Sequence, residues 1–323
     1  MVDMQSFWKK LKKPFTVLAP MADVTDAAFR RIIAQTGKPD VTWTEFVSAD
    51  GLFLGGRDAL MHDLLFTEAE RPIVAQFFTS HPEMMEKAAA LARELGFDGV
   101  DINMGCPDKS IERQGAGASL IKNPKLAQEL IYAAKRGAGD LPVSVKTRIG
   151  YNKEELDTWI PALLETVPAA LTLHARTRKE MSSVPARWEM VGRTVELRNS
   201  SALETLILGN GDVMSIAEAH AKAKEYGADG VMLGRAIFGN PWLWSGRDVA
   251  TISISERLHM LIHHTKTYEE LLGGVKSFAL MKKHYKAYVH GWEGAKELRM
   301  QLMECEDAAG VTRVVEGYLA TVG

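Results

Sequence analysis

Of the two cysteines in this 323-residue sequence, one stands where chemistry is expected and one does not. Cys106 lies in Asp101-Ile102-Asn103-Met104-Gly105-Cys106-Pro107, a loop shaped by glycine and proline, whereas a structural thiol more often sits on an apolar face. A thiol near its ordinary pKa of about 8.5 keeps its proton at neutral pH and can donate it, which suits a general acid better than a nucleophile. Cys305, in Met303-Glu304-Cys305-Glu306, lacks that loop and reads as a packing residue. The two are far apart and neither has metal-ligand spacing around it, so neither a disulfide scaffold nor a metal site is expected.

Other residues suggest an anionic cofactor. In Val143-Ser144-Val145-Lys146-Thr147-Arg148 the alternation puts Ser144, Lys146 and Arg148 on one side. Lys146 there could be a fixed cation stabilising the negative charge of a reduced cofactor ring, or simply a surface lysine. His174 could hydrogen-bond a cofactor or substrate edge, or be structural. Leu208-Gly209-Asn210-Gly211-Asp212 and Leu233-Gly234-Arg235 could hold a phosphate, because glycines let backbone N–H groups approach closely and arginine binds phosphate in a fork. Taken alone, Gly-Asn-Gly is only a turn signal.

These residues need a scaffold that gathers distant segments. Short β-branched or apolar runs alternate with helical periodicity along the chain, near Thr16 to Ala19, Val41 to Val47, Pro72 to Phe77, Gly99 to Asn103, Pro142 to Thr147, Ala170 to His174, Thr205 to Leu208 and Gly230 to Leu233. Helices fit between them, for example Pro82 to Leu95, Pro124 to Arg136, Lys153 to Thr166 and Ser215 to Tyr226, with Asn123 before Pro124 as a cap and first-turn pair. Eight such runs suggest a closed (β/α)8 barrel, an α/β fold. The doubly wound alternative would place a G-x-G-x-x-G turn after the first strand, where Ala19-Pro20-Met21-Ala22-Asp23 stands instead. Met21, Glu45, Gln76, Asn103, Lys146, His174, Asn210 and Arg235 all fall at carboxyl ends of the expected strands, which in a barrel converge on one mouth.

Composition is that of an ordinary soluble globular protein: 46% hydrophobic and 25% charged. No run of about 18 apolar residues predicts a membrane helix, and the basic stretch Met1 to Lys13 lacks the apolar segment of a secretory signal, so a cytoplasmic protein is expected. At a net charge of −2, any nucleic acid would have to meet a local basic face.

Seven segments in order resemble those of the tRNA-dihydrouridine synthases, over nearly the whole chain: Ala19 to Asp26, Gln76-Phe77, Asn103 to Pro107, Lys146-Thr147-Arg148, His174 to Arg178, Gly209 to Asp212, and Gly234-Arg235. The run Gly115-Ala116-Gly117-Ala118 fits too. The resemblance implies FMN held by Pro20, Met21, Ala22, Gln76, Lys146, Asn210, Gly211, Asp212, Gly234 and Arg235, with His174 beside it. It implies Cys106 as proton donor, Asn103 orienting the uracil, and Arg148 and Arg178 near flavin, base or RNA phosphate. NADPH would reduce FMN, flavin N5 would pass hydride to uracil C6, and Cys106 would protonate C5. The target uridine would leave its stack to enter the barrel mouth.

A second grip on tRNA is then expected beyond about Asp248, where Ser253 with Glu256 resembles a capping box and strand signals end. The reading is a barrel over 1–247 and a smaller all-helical domain over 248–323. Between Lys276 and Arg299 stand six Lys/Arg, including Lys282, Lys283 and Lys286, against two acids, with Tyr285, Tyr288 and Trp292 interleaved, a mixture suited to RNA. The bland alternative is a solvated helix whose aromatics pack inward. Lys179 to Ser201 has few family hallmarks beyond Trp188, so the uridine position modified stays open, and a monomer is expected. Competing readings are a dihydroorotate dehydrogenase-like barrel acting on a free pyrimidine and a degenerate RNA-binding barrel. The basic helical tail argues against the first, and retention of Cys106 and the glycine loops argues against the second.

Overall fold

A computed structural model describes residues 7–322. The first six residues and Gly323 fall outside that range, and with them part of the basic amino-terminal stretch considered above.

Eight strands form one parallel sheet: β1 (Phe15–Leu18), β2 (Thr42–Ser48), β3 (Ile73–Phe78), β4 (Gly99–Met104), β5 (Val143–Arg148), β6 (Ala170–His174), β7 (Leu206–Asn210) and β8 (Gly230–Leu233). Each pairs with its sequence neighbour from β2 to β8, and β8 returns to β1. Leu18 N donates to Val41 O at 3.2 Å and Asp40 N to Thr16 O at 2.9 Å, which closes β1 onto the start of β2. The result is the (β/α)8 barrel expected from the alternation. Two boundaries differ from expectation. β7 extends through Asn210, so that residue ends a strand rather than opening a loop, and the helix expected from Lys153 begins only at Leu156.

The outer helices are α1 (Ala27–Thr36), α2 (Ala49–Phe53), α3 (Arg57–Leu60), α4 (Pro82–Glu94), α5 (Lys109–Arg113), α6 (Pro124–Ala138), α7 (Leu156–Leu164), α8 (Glu189–Ser200) and α9 (Ile216–Tyr226). Their starts follow capping chemistry: Asp26 Oδ1 accepts from Phe29 N at 2.9 Å, Asn123 Oδ1 from Leu126 N at 3.3 Å and Ser215 Oγ from Glu218 N at 3.1 Å. Prolines occupy the first turns of α4 and α6, where a missing N–H costs nothing. One face of each strand meets the helices. The other fills the barrel floor with Val17, Trp43, Val74, Leu208 and Met232, and Trp8 packs against this cluster.

Beyond β8 come α10 (Ile254–Leu272), α11 (Lys282–Tyr288), α12 (Ala295–Met303) and α13 (Ala308–Val322), with a core of their own that includes Leu258, Leu261, Leu298 and Val311. Cys305 is buried in that core, as a packing residue would be. Ser253 Oγ caps α10 by accepting from Glu256 N at 3.1 Å, but the Glu256 carboxylate turns to Arg247, at 3.0 Å from one guanidinium nitrogen. Only half of the expected capping box therefore forms.

An aromatic seam joins these helices to α1. Phe29 stacks on His264 at 4.7 Å, and His284 meets Phe29 edge-on at 5.0 Å and His264 at 4.6 Å. His264 Nδ1 and the Tyr288 hydroxyl share a hydrogen bond of 3.3 Å, while among the described residues His264 Nε2 and His284 Nδ1 have no partner. Burial holds His264 well below the ordinary histidine range and brings His284 down to about 4. Both rings are thus neutral in the fold and take up protons near 6.5 once unfolded, so their contribution to stability is lost as pH falls from about 6.5 toward 4. The expected slope is up to about 1.4 kcal/mol per pH unit for each ring. Denaturant titrations of wild type and His284→Phe between pH 7 and 5 check this, with a shallower slope expected in the variant.

Candidate active site

A cavity of about 340 Å³ opens where the strands end, at the lower end of the size usual for cofactor sites. Its wall combines Pro20 and Met21 after β1, Lys146 and Arg148 of β5, His174 and Arg176 at β6, Asn210 to Asp212 at β7, and Gly234 and Arg235 after β8. The carboxyl ends of these strands are all that brings such distant residues together.

The wall is strongly cationic: Lys146, Arg148, Arg176 and Arg235 face the cavity against one carboxylate, Asp212. No hydrogen bond or ion pair within the protein engages Lys146 Nζ among the described residues. Burial, with Arg148 nearby, brings Lys146 down to about 8, so it still carries most of its charge at neutral pH. Burial also lowers Arg148 to about 10, leaving it charged. His174 is held well below its ordinary range by burial and by the surrounding cations. The Arg176 guanidinium can only donate and lies 3.2 Å from His174 Nε2, so Nε2 accepts and Nδ1 carries the ring proton.

Asp212 braces the phosphate-side loop. It pairs with Arg176 and with Arg235, and its Oδ2 accepts from Ala186 N at 2.8 Å. Gly211 has φ 130°, and a Cβ there would stand 2.7 Å from that of Ala186, so only glycine fits. Trp188 donates from Nε1 to Gly211 O at 2.8 Å. The segment Lys179 to Ser201 thus buttresses this loop through Ala186 and Trp188.

Cys106 lies beside the cavity on a loop that Asn103 organises. Asn103 Oδ1 accepts from Gly105 N at 3.1 Å and Cys106 N at 2.9 Å, while its Nδ2 donates to Gln76 Oε1 at 3.1 Å. Gln76 Nε2 in turn donates to Asp101 Oδ2 at 2.5 Å. Burial pushes Asp101 up to about 6, with Ser144 and Gln76 pulling it back by hydrogen bonds. The glycine run packs from the other side: Ala118 N donates to Cys106 O at 2.9 Å, and Gly117, at φ 61°, leaves no room for a side chain against that oxygen. Burial raises the Cys106 thiol, opposed by a main-chain hydrogen bond at Asp108 and more weakly by Lys146 and Arg148. The thiol therefore holds its proton.

Arg148 links this loop to the one after β6, donating to Gly105 O at 2.8 Å, Thr177 O at 3.1 Å and Met181 O at 3.0 Å. Several expected site residues lie off the wall. Ala22 is exposed, Gln76 and Asn103 are buried behind the wall, and Arg178 pairs with Glu112 while lying over the Tyr151 ring. Arg176 was not among the expected binders, although it follows His174 at the same parity.

The basic stretch of the helical region departs from the expectation for RNA stacking. Tyr285 and Tyr288 are fully buried, because they fill the core between α10 and α12, and Trp292 donates to the Tyr318 hydroxyl at 2.9 Å. The inward-packing alternative holds for the two tyrosines. Lys276 is held by Glu45 and Asp63, Lys282 donates to Met303 O, Lys283 pairs with Asp23 and Arg299 donates to Val289 O. Lys282, Lys283, Lys286, Lys296 and Arg299 nonetheless line one groove of about 390 Å³.

Comparison with known proteins agrees with this arrangement. A model of the dihydrouridine synthase family matches residues 17–321. The chain is 40% identical over 321 residues to a probable tRNA-dihydrouridine synthase 2 of Bacillus subtilis (strain 168), covering 97% of each chain. It is 37% identical over 319 residues to a probable tRNA-dihydrouridine synthase of Staphylococcus aureus (strain MRSA252), covering 98% of this chain and 96% of the relative. Among solved structures, morphinone reductase in complex with tetrahydroNAD is similar with a TM-score of 0.50 at 15% identity, over 72% of this chain and 86% of that one. Histamine dehydrogenase from Rhizobium sp. 4-9 gives 0.54 at 14% identity, over 78% of this chain and 48% of that one. These structural likenesses speak to the barrel alone, whereas the match in sequence runs through every segment of the cavity and the helices beyond it: the chain belongs to the dihydrouridine synthase family.

Proposed function

We propose that the chain reduces the uracil 5,6 double bond of uridines in tRNA to 5,6-dihydrouridine, with FMN in the barrel cavity and NADPH as reductant. The observation that carries this reading is the pairing, at one barrel mouth, of a proton-bearing thiol with a cationic cavity whose lysine has no hydrogen bond or ion pair among the described residues. The names of the curated relatives support tRNA as substrate.

The wall suits a phosphorylated flavin. Gly211 and Gly234 line the cavity without side chains to block it, Arg176 and Arg235 are held ready by Asp212, and Lys146 offers an ammonium with no hydrogen bond or ion pair among the described residues. Bound there, FMN reduced by NADPH would supply hydride to C6 of uracil. Cys106 delivers its proton to C5, which saturates the bond and leaves a thiolate that regains a proton from solvent. Asn103 fixes the loop that aims this thiol, so its part in orienting uracil is indirect or limited to its remaining amide hydrogen. Arg148 holds the same loop at Gly105. The helical region beyond residue 247 serves as the tRNA grip, with Lys286 and the rest of its basic groove meeting phosphates and Arg178 at the barrel rim.

Nucleoside mass spectrometry of unmodified tRNA, incubated with FMN-loaded protein and NADPH, tests the reading. Uridines heavier by two hydrogens are the expected result. Turnover of free uracil or orotate with no change in tRNA would instead assign the dihydroorotate dehydrogenase-like activity.

A further inference from the structure

Lys276 belongs to the helical region, yet both its partners belong to the barrel. Its ammonium lies 2.8 Å from Glu45 Oε2 and 2.6 Å from Asp63 Oδ1, with only 15% of the side chain exposed. Glu45, in β2, turns its other oxygen to the main chain, where Oε1 accepts from Asp23 N at 2.5 Å. Asp23 has φ 55°, a left-handed conformation uncommon for residues with a Cβ and tolerated best by aspartate and asparagine. Its own carboxylate meets Lys283 at 3.1 Å, a second tie to the helical region. Asp23 sits in the turn between β1 and α1, two residues beyond Met21, which lines the cavity beside Gly234.

We infer that Lys276 is a positioning residue for the cavity: by holding Glu45 it fixes the Met21 to Asp23 turn, so that seating of the helical region sets the lip of the cofactor site. The turn has internal support from Thr25, whose Oγ1 accepts from Met21 N at 2.9 Å, and from Arg30, which donates to Thr25 O at 2.7 Å. Neither of these reaches Asp23 N. Burial together with Asp63 and Asp26 pushes Glu45 up to about 7, and Lys276 opposes that rise. Without the lysine, Glu45 takes up a proton and the Asp23 amide loses its charged acceptor.

Hydrogen exchange of the full chain, measured by mass spectrometry without flavin, tests this on wild type, Lys276→Met and Lys276→Arg. In Lys276→Met the amides of 21–25 should exchange about tenfold faster or more, the effect of losing a hydrogen bond to a charged group. Lys276→Arg, which can still reach both carboxylates, should restore protection. Fluorescence titration with FMN should show Kd weakened about tenfold in Lys276→Met and recovered in Lys276→Arg, in keeping with the same lost bond. This binding measurement rests on the flavin reading, and wild-type protein that fails to bind FMN would defeat that reading while leaving the exchange result to stand. Unchanged exchange at 21–25, with any increase confined to 254–288, would overturn the inference and leave Lys276 as an anchor of the helices only. Should Lys276→Met not fold, Glu45→Gln takes its place. Faster exchange at 21–25 is expected there, and wild-type exchange would overturn the inference.

Discussion

Cys106→Ala is expected to bind FMN and accept electrons from NADPH normally while forming dihydrouridine about 10²- to 10⁴-fold more slowly, the range for loss of a general acid. The thiol has one main-chain hydrogen bond in the loop, with Asp108, and most of the work of holding the loop is done elsewhere. That work falls to Asn103 Oδ1 and to the bond from Ala118 N to Cys106 O, both of which alanine preserves. Stopped-flow flavin absorbance separates the two halves of the reaction: reduction at the wild-type rate, reoxidation by tRNA slowed. A variant that emerges without flavin would make Cys106 structural.

Lys146→Met is expected to slow flavin reduction by about 10²- to 10³-fold, the effect of removing one preorganised group from the site of developing charge. The substitution keeps the aliphatic volume and removes the one cavity cation that has no hydrogen bond or ion pair among the described residues. Because burial brings Lys146 down to about 8, its charge is present below that pH and is lost above it. The wild-type reduction rate should therefore decline as pH rises through about 8, and the variant should be low and flat there. A wild-type profile that stays level to pH 9.5 would remove Lys146 from this role.

What could be read from the sequence follows from what each feature depends on. The eight strands were legible because both faces of a parallel barrel strand are covered, which leaves short apolar runs such as Ala170–His174 between helices of clear period. Lys146 and Arg148 were legible by parity within one such run. The role of Asn103 as a brace was not, because its local bonds to Gly105 N and Cys106 N are anchored to the sheet through Gln76, which meets it only once β3 and β4 pair. Arg176 was obscured by its neighbours, since nothing local tells a guanidinium pinned by Asp212 from one free on the rim. Tyr285 and Tyr288 misled through the opposite error: their spacing among lysines suits RNA stacking as well as a helix core, and only packing against α10 and α12 separates the two.

The cationic wall also has a bearing on speed. In a chain whose net charge is −2, attraction for an approaching polyanion is concentrated where cations cluster, at the cavity mouth and along the groove lined by Lys282, Lys283 and Lys286. Such a field orients the encounter before any contact forms and concentrates productive collisions at the mouth. With a Debye length of about 8 Å at physiological ionic strength, that guidance reaches little beyond the rim, and added salt shortens it further. Raising ionic strength should therefore act mainly on the association rate constant of a phosphorylated ligand, while its residence time, set by buried contacts that mobile ions reach poorly, changes far less.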